Sequence, residues 1–166
     1  MLSVSIVIGG NQKMIYAKEI SKIIVNHCPR FGTRRNFCIV PNVSCGLLDW
    51  EADLIVCTKS GYLTEIEIKI SMSDWKQDNK KYKFKFIPGY YTKCWEKIKY
   101  FYYAAPNEIA SRYKEINLPD FAGVMSVSLI NNRVEILKEA IKRKSRKLSN
   151  AEMMQLARLG TMRIWG

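Results

Sequence analysis

Apolar residues recur along the chain at two spacings, and these predict where strands and helices lie. Residues 3–6 alternate between serine and an aliphatic residue, which predicts a short strand that ends at the glycine pair 9–10. Asn11 is then expected to cap a helix that runs to about His27. The apolar residues on one face of that helix are Ile20, Ile23 and Ile24.

Alternation with a period of two predicts that much of the remaining chain forms strands. Lys59, Ser60 and Gly61 separate two such segments and are typical of a hairpin turn. The predicted strands cover residues 34–43, 52–58, 62–70, 100–106, 121–129 and 133–140. Between them we expect helical segments at residues 74–82 and 95–99, and a loop or insertion at residues 84–92.

The last part of the chain combines a basic run with a helix. Residues 142–147 predict a loop or a helix edge, and Ser149 with Glu152 three residues later forms a capping box. We therefore predict a single α/β domain over residues 1–166, with a basic segment and helix at about 133–166. Its central mixed sheet is flanked by helices, in the order helix, three strands, helix, strand.

Charge gives the first indication of a partner. The 166 residues carry a formal net charge of +12, concentrated in residues 30–35, 76–99 and 133–147. Clustered positive charge binds phosphate backbones through counterion release, so DNA is the expected partner; the alternative is a solvated basic surface. No apolar run approaches the roughly 20 residues that span a bilayer, and the start lacks a basic leader. We expect a soluble, cytoplasmic protein with no membrane partner.

The cysteines do not indicate a metal centre. There are five of them, widely scattered and never at C-x-x-C spacing, and His27 is the single histidine. A structural zinc site and a disulfide framework are therefore not expected. We interpret the cysteines as buried or half-buried thiols of a reducing compartment.

Candidate chemistry lies in the segment TEIEIKI. A strand turns successive side chains to opposite faces, so Ile66, Ile68 and Ile70 share one face and Glu65, Glu67 and Lys69 share the other. Glu67 and Lys69 then stand roughly 7 Å apart along the strand.

Asp53, on the preceding strand, is expected to come level with Glu67 across the hairpin. Two hard oxygen donors suit Mg²⁺ or Mn²⁺. The alternative is cross-strand ion pairing on the wet face of a sheet. An acidic pocket with a lysine on a basic protein favours metal-assisted cleavage of a phosphodiester.

Asp53 followed fourteen residues later by Glu67-Ile68-Lys69 resembles the D…(D/E)-x-K signature of the PD-(D/E)XK, or restriction-endonuclease-like, nucleases. The ordered segments ADLIV, IEIKIS, SDWKQDNKKY and YFYYAAP are similar to those of the MmcB-like DNA-repair branch of that superfamily. The resemblance covers most of residues 19–106. Ala52 replaces the proline of the signature, and residues 83–94 look inserted.

The resemblance implies that Asp53 and Glu67 hold Mg²⁺, with help from the backbone carbonyl of Ile68, and that Mn²⁺ can substitute. Lys69 would orient the attacking water, assist its deprotonation or stabilise charge on the phosphate oxygens. Glu19 matches the place where many of these nucleases contribute another acid; the alternative is a solvent-facing helix glutamate.

Further residues are expected around this site. Glu65 either serves a second metal or pairs with a surface lysine. The resemblance places Ser73, Asp74 and Asp78 in a patch near the active site, although capping by Ser73 or Asp74 explains those two as well. The candidates for phosphate contacts are Lys76, Lys80, Lys81, Arg34 and Arg35. The candidates for stacking on unpaired bases are Tyr90, Tyr91 and Trp95, for which a core position is the alternative.

The leading hypothesis is a Mg²⁺-dependent DNA endonuclease of DNA repair or phage DNA metabolism, acting in a bacterial cell or a phage-infected host. A catalytically silent DNA-binding module on the same fold is the first alternative, and an RNA-directed or structure-specific nuclease is the second. A homodimer is compatible with this chemistry, because making a double-strand break usually needs two active sites.

Overall fold

The computed structural model describes residues 3–8, 11–32, 34–44, 46–78 and 95–165. The strands are β1 (Ser3–Ile8), β2 (Asn11–Tyr16), β3 (Asn36–Val43), β4 (Ala52–Thr58), β5 (Leu63–Ile68), β6 (Ile98–Pro106), β7 (Ala122–Ser128) and β8 (Arg133–Lys138). The α-helices are α1 (Ala17–His27), α2 (Met72–Asp78), α3 (Asn107–Ala110) and α4 (Asn150–Trp165). Short 3-10 turns lie at Trp95–Lys97 and Tyr113–Glu115.

A six-stranded mixed sheet is the centre of the fold, with the strands side by side in chain order from β3 to β8. The hairpins β3–β4, β4–β5 and β7–β8 are antiparallel, whereas β5–β6 and β6–β7 are parallel. A parallel pair needs a crossover connection, and α2 lies in the first crossover and α3 in the second. The predicted mixed sheet flanked by helices is confirmed, and α1, β3, β4, β5, α2 and β6 follow in the predicted order.

The two faces of this sheet pack against different layers. On the face we call the α1 face, Ile66 and Ile68 pack with the apolar side of α1, and Tyr102 joins them. On the opposite, aromatic face, Phe101 and Tyr103 pack with α2 and α4. The predicted apolar and charged sides of β5 therefore face different layers, as alternation along a strand requires.

The predicted start of the first helix is wrong. Residues 11–16 form β2, which pairs antiparallel with β1 in a separate two-stranded sheet, and α1 begins only at Ala17. The cap is Tyr16, whose backbone N–H donates to the Glu19 carboxylate at 3.2 Å. The backbone N–H and C=O groups of residues 11–16 find their hydrogen-bond partners in β1, in place of the internal hydrogen bonds of a helix.

The basic segment before α4 follows the protein surface without forming a helix or strand. Its backbone is tied to the domain at four points: Ile141 to Phe121, Arg143 to Lys99, Arg146 to Glu96 and Leu148 to Gly61. The Arg143 guanidinium also lies 4.3 Å from the ring centroid of Trp95 and 4.6 Å from that of Phe121. Part of this predicted DNA-contacting charge is therefore used to fix the chain.

The predicted capping box at the start of α4 is confirmed. The Ser149 hydroxyl accepts the Glu152 N–H at 3.2 Å, and the Glu152 carboxylate accepts the Ser149 N–H at 2.8 Å. Glu152 also forms ion pairs with Arg146 at 2.7 Å and Lys97 at 3.3 Å. Lys97 is buried, and its ammonium additionally donates to the Leu47 carbonyl at 2.8 Å.

Other predictions have mixed outcomes. The helix predicted to 82 is α2, which covers Met72–Asp78 among the described residues, whereas the loop predicted at 84–92 lies outside them. The helix predicted at 95–99 is a 3-10 turn of three residues, because Ile98 already belongs to β6. The described cysteines, Cys28, Cys38 and Cys57, are free thiols and are buried or half-buried. Within the described ranges, no helix is long and apolar enough to cross a membrane.

Replacing the cap of α4 should lower stability without changing the fold. We expect Ser149→Ala to reduce the free energy of unfolding by about 1 kcal/mol, because the Glu152 N–H loses its acceptor. Urea unfolding at neutral pH measures the difference. Ser145→Ala is the matched control and should change stability by less than about 0.5 kcal/mol. Equal effects of the two substitutions would contradict the capping role.

The pH dependence of stability should report on Glu152. The hydrogen bond from Arg146, aided by the Ser149 N–H and Lys97, holds the pKa of this carboxyl well below its usual range. The ionised Glu152 carboxylate therefore contributes fully to the free energy of unfolding above the unfolded-state pKa of about 4.3. This contribution is lost as the pH falls toward the lower folded-state pKa.

We expect Glu152→Gln to cost about 1 kcal/mol at pH 7, and this difference from the wild type should shrink below about pH 5. Urea unfolding at a series of pH values measures both curves. Glu108→Gln, which replaces an exposed glutamate, is the control and should change stability by less than about 0.5 kcal/mol at pH 7. A Glu152→Gln difference that stays constant down to pH 3 would exclude this linkage.

Candidate active site

The β4–β5 hairpin brings Asp53 and Glu67 together. The register pairs Leu54 with Ile66, so the next position along each strand places Asp53 opposite Glu67. The Asp53 carboxylate accepts the Ile68 backbone N–H at 2.7 Å. Two carboxylates from neighbouring strands thus lie at the same end of the sheet, as the sequence predicts.

The charged side of β5 is buried. Glu65, Glu67 and Lys69 are 0%, 2% and 1% exposed, and they lie on the aromatic face of the sheet. The alternative interpretation of this pattern as a wet strand face is therefore wrong. Because a buried charge is expensive unless it is paired, each of these groups requires a polar partner inside the protein.

Lys69 has two carboxylate partners. Its ammonium donates to Glu67 Oε1 at 3.0 Å and to Asp78 Oδ1 at 2.7 Å. The backbone N–H of Lys69 donates to the Ala104 carbonyl at 2.8 Å, so the residue is held against β6 as well. Asp78 belongs to α2, which means that the lysine joins this crossover helix to the sheet.

A tyrosine of β6 completes the arrangement. The Tyr103 hydroxyl donates to Asp78 Oδ2 at 2.9 Å, and its ring centroid lies 5.9 Å from the Lys69 ammonium. Burial, together with the charge of Asp78, raises the pKa of Tyr103 well above its usual range. The phenol therefore remains protonated and keeps donating to the aspartate at any physiological pH.

Glu65 has a different partner from the one expected. Both of its carboxylate oxygens accept the indole N–H of Trp50, at 3.0 and 3.1 Å. Glu65 is fully buried, so the predicted position on the protein surface is wrong. Trp50 itself stacks on Trp95, with ring centroids 4.9 Å apart.

Several predicted site residues lie elsewhere or have other contacts. Glu19 accepts the N–H of Tyr16 at the start of α1. The cap of α2 is Ser71, whose hydroxyl accepts the Asp74 N–H at 3.1 Å and hydrogen-bonds Ser73 at 3.0 Å. Neither Ser73 nor Asp74 is thus the capping residue proposed for this helix.

The predicted phosphate contacts are on the surface wherever the structure describes them. The exposed members are Arg34, Arg35 and Lys76. The members outside the described residues are Lys80 and Lys81, together with Tyr90 and Tyr91. Trp95 is buried among Trp50, Phe101 and Phe121, so it belongs to the core and not to a stacking surface.

The predicted metal ligands, Asp53, Glu67 and the Ile68 carbonyl, would offer oxygen atoms to a cation. Among the described residues, no group of three or more histidine, cysteine, aspartate or glutamate side chains is gathered to hold a metal ion. The predicted ligands include only two side chains of these types, Asp53 and Glu67, together with the Ile68 backbone carbonyl, so they do not amount to such a group. Carboxylate and carbonyl oxygens are the hard donors that Mg²⁺ prefers.

Two residues of this site were not identified from the sequence. Tyr103 lies opposite Glu67 in the parallel β5–β6 register, and Trp50 precedes β4 by two positions. Alternation along β6 places Tyr103 on the same side as Phe101, which is a signal that the sequence contains. The pairing of β5 with β6 brings Tyr103 to the site, and alternation alone does not predict which strands pair.

Comparison with known proteins gives a fold neighbour. The structure is similar to that of SPO1766, a protein of unknown function from Silicibacter pomeroyi, with a TM-score of 0.57 and 18% sequence identity. The similarity covers 90% of this chain and 86% of the other. No protein-family model and no curated protein matches the sequence. The likeness shows a shared fold, and the chemistry of the site has to be argued from its residues.

Removal of the Asp78 charge should destabilise the protein strongly. We expect Asp78→Asn to reduce the free energy of unfolding by on the order of 3 kcal/mol, because it withdraws one partner from a buried ammonium. Thermal or urea unfolding measures the effect. Asp74→Asn, in the same helix, is the matched control and should change stability by less than about 0.5 kcal/mol. Similar stabilities of the two variants would contradict the buried ion pair.

Proposed function

We propose that this protein is a Mg²⁺-dependent DNA endonuclease with a restriction-endonuclease-like core, similar to the MmcB-like branch of the PD-(D/E)XK nucleases. One observation carries the proposal. Asp53 lies opposite Glu67 on adjacent strands, and the Lys69 ammonium is 3.0 Å from the Glu67 carboxylate. These are the three side chains of the D…ExK signature, and they meet at one end of the sheet.

The carboxylates fit a divalent cation. Asp53 is half-buried and Glu67 is 2% exposed, so an ion between them would be reached from the Asp53 side. Asp53 and Glu67, with the Ile68 carbonyl, would hold Mg²⁺ or Mn²⁺. When bound, the ion supplies Lewis-acid stabilisation of a phosphate oxygen.

Lys69 is the residue that would act on the reacting groups. Its three candidate roles stay open: it orients the attacking water, assists removal of its proton, or stabilises charge on the phosphate. Each role needs the ammonium beside Glu67, and the hydrogen bond to Asp78 with its support from Tyr103 keeps it there. Asp78 and Tyr103 are therefore positioning residues of the proposed site.

Surface charge supports a nucleic-acid substrate. The chain has a formal net charge of +12, and Arg34, Arg35 and Lys76 are exposed. Lys80 and Lys81, which lie outside the described residues, stay candidates for phosphate contacts. Such cations attract the phosphate backbone, and a divalent ion would remove the repulsion between that backbone and the acidic site. We propose that the protein acts in the cytoplasm, in DNA repair or in phage DNA metabolism. A homodimer would supply the two active sites that a double-strand break needs.

The proposal predicts nicking of DNA. A supercoiled plasmid incubated with the protein and Mg²⁺ should be converted to the open circle, and EDTA should prevent this. Asp53→Asn and Lys69→Ala should each reduce the rate on the order of 100-fold or more, because each removes a group that would act on the reacting phosphate. Asp49→Asn is the matched control: it removes an exposed carboxylate near β4 and should leave the rate unchanged.

Folding and metal binding are measured alongside activity. Lys69→Ala removes a buried cation and is expected to lower the melting temperature, so Asp53→Asn, at a half-buried position, is the decisive variant. Calorimetry with Mn²⁺ should show binding to the wild type and to Asp49→Asn, and a loss of binding in Asp53→Asn.

Nicking that survives both active-site substitutions would sink the proposed site. Salt-sensitive DNA binding that persists in EDTA, with no cleavage under any divalent ion, would replace the nuclease by a DNA-binding module. Duplex, single-stranded and flapped DNA and RNA substrates, tested side by side, identify an RNA-directed or structure-specific enzyme.

A further inference from the structure

A second cleft lies far from the carboxylates. It has a volume of about 470 Å³ and opens beside the turn between β4 and β5. Asp53 stands near the start of β4 and Thr58, a lining residue, at its end, so about 17 Å of strand separates these two residues. Val56, Thr64 and Tyr102 line the cleft from the α1 face, whereas Glu67 lies on the aromatic face.

The lining of this cleft is cationic. Among the described lining residues are Arg30, Lys99 and Lys142, against a single carboxylate, Glu139. Arg30 forms two hydrogen bonds to Glu139, at 2.7 and 3.1 Å, so these two charges offset each other. Lys99 and Lys142 can therefore interact with an anionic ligand.

Lys99 is held by aromatic rings. Its ammonium lies 3.5 Å from the ring centroid of Tyr62 and 5.9 Å from that of Tyr100. Within the part of the chain that the structure describes, no carboxylate forms an ion pair with Lys99. A cation–π contact positions a lysine without neutralising it, so the ammonium keeps its full charge for a ligand.

The cleft also offers flat surfaces and a rigid floor. Tyr62 and Tyr100 are half-buried and line it, and Tyr102 is buried beneath. The Tyr102 ring lies directly over Gly123, where a β-carbon would come within 2.4 Å of the ring. Its hydroxyl accepts from Arg30 and donates to Glu139, at 2.9 Å in both cases. The floor is thus fixed by packing and by hydrogen bonds.

From this combination we infer that the cleft binds one nucleotide. Lys99 and Lys142 contact its phosphate, and its base lies against the Tyr100 ring, since the Lys99 ammonium covers the centre of the Tyr62 ring. The volume is in the range of small-ligand sites, and aromatic rings interleaved with cations are the recurrent chemistry of single-stranded nucleic-acid binding. The nucleotide is either free or one member of a single strand. The inference is independent of the proposed nuclease, because the two sites share no residue.

Calorimetric titration of the full chain in EDTA tests the inference, since EDTA removes any cleavage. The probes are dAMP, inorganic phosphate and a hexathymidylate. We expect dAMP or the hexathymidylate to bind at least tenfold more tightly than inorganic phosphate, because a stacked base adds to the phosphate contact. Binding of dAMP identifies a free nucleotide, whereas binding of the hexathymidylate alone identifies a nucleotide within a strand.

Variants locate the binding. Lys99→Met keeps the apolar stem over Tyr62 and removes the charge, and Tyr62→Leu removes the ring; each should weaken binding roughly tenfold. The exposed Lys114, which is not part of the cleft, supplies the matched control, and Lys114→Met should bind like the wild type. Melting temperatures verify that each variant is folded.

Three results would overturn the inference: no binding of dAMP or hexathymidylate at millimolar concentration, inorganic phosphate binding as tightly as either, or wild-type affinity in both cleft variants. Asp53→Asn separates the two proposals. If the cleft binds a nucleotide, this variant keeps that binding whether or not the plasmid is nicked.

Discussion

The buried ammonium of Lys69 is the interaction on which the rest of this structure depends. It is 1% exposed and is shared between Glu67 on β5 and Asp78 at the end of α2, while Tyr103 on β6 donates to the second oxygen of Asp78. Three elements are joined at one point by charged groups that water cannot reach. Since a single unpaired charge there would cost several kcal/mol, the position of α2 over the sheet is tightly specified. The same contacts leave Lys69 next to the carboxylate that the proposed chemistry uses.

The two proposed sites lie on different faces of one sheet. The α1 face of β5 is aliphatic and packs on a helix, whereas its aromatic face contains the charged groups and their donors. Beside the β4–β5 turn, Lys99 and the tyrosines line a cationic cleft. An acidic site and a basic one therefore lie at opposite ends of the same hairpin, where their charges interact little across the protein and solvent.

Charge counted along the sequence overstates the charge available to a partner. Arg143 lies on two aromatic rings, Arg146 pairs with Glu152, and Lys97 is buried against a backbone carbonyl and Glu152. These contacts bind the basic segment to the domain and fix the start of α4. Lys99 also lies among rings but lines the cleft, and Lys142 is exposed there. Cations that lie close together in the sequence thus have different surroundings, which their number alone does not reveal.

Local pattern was sufficient for much of the fold and for the centre of the candidate site. Alternation assigned Ile66 and Glu67 to opposite faces, the Lys59–Gly61 turn set the register that places Asp53 opposite Glu67, and Ser149 with Glu152 marked the start of α4. Each of these depends on residues close together in the chain. The start of α1, the burial of Glu65 and the contact of Tyr103 with Asp78 depend on segments distant in sequence: β1 beside β2, Trp50 over β5, and β6 parallel to β5. Such pairings are chosen by packing of the whole chain, because alternation tells which face a side chain takes and not which strand or helix will cover it.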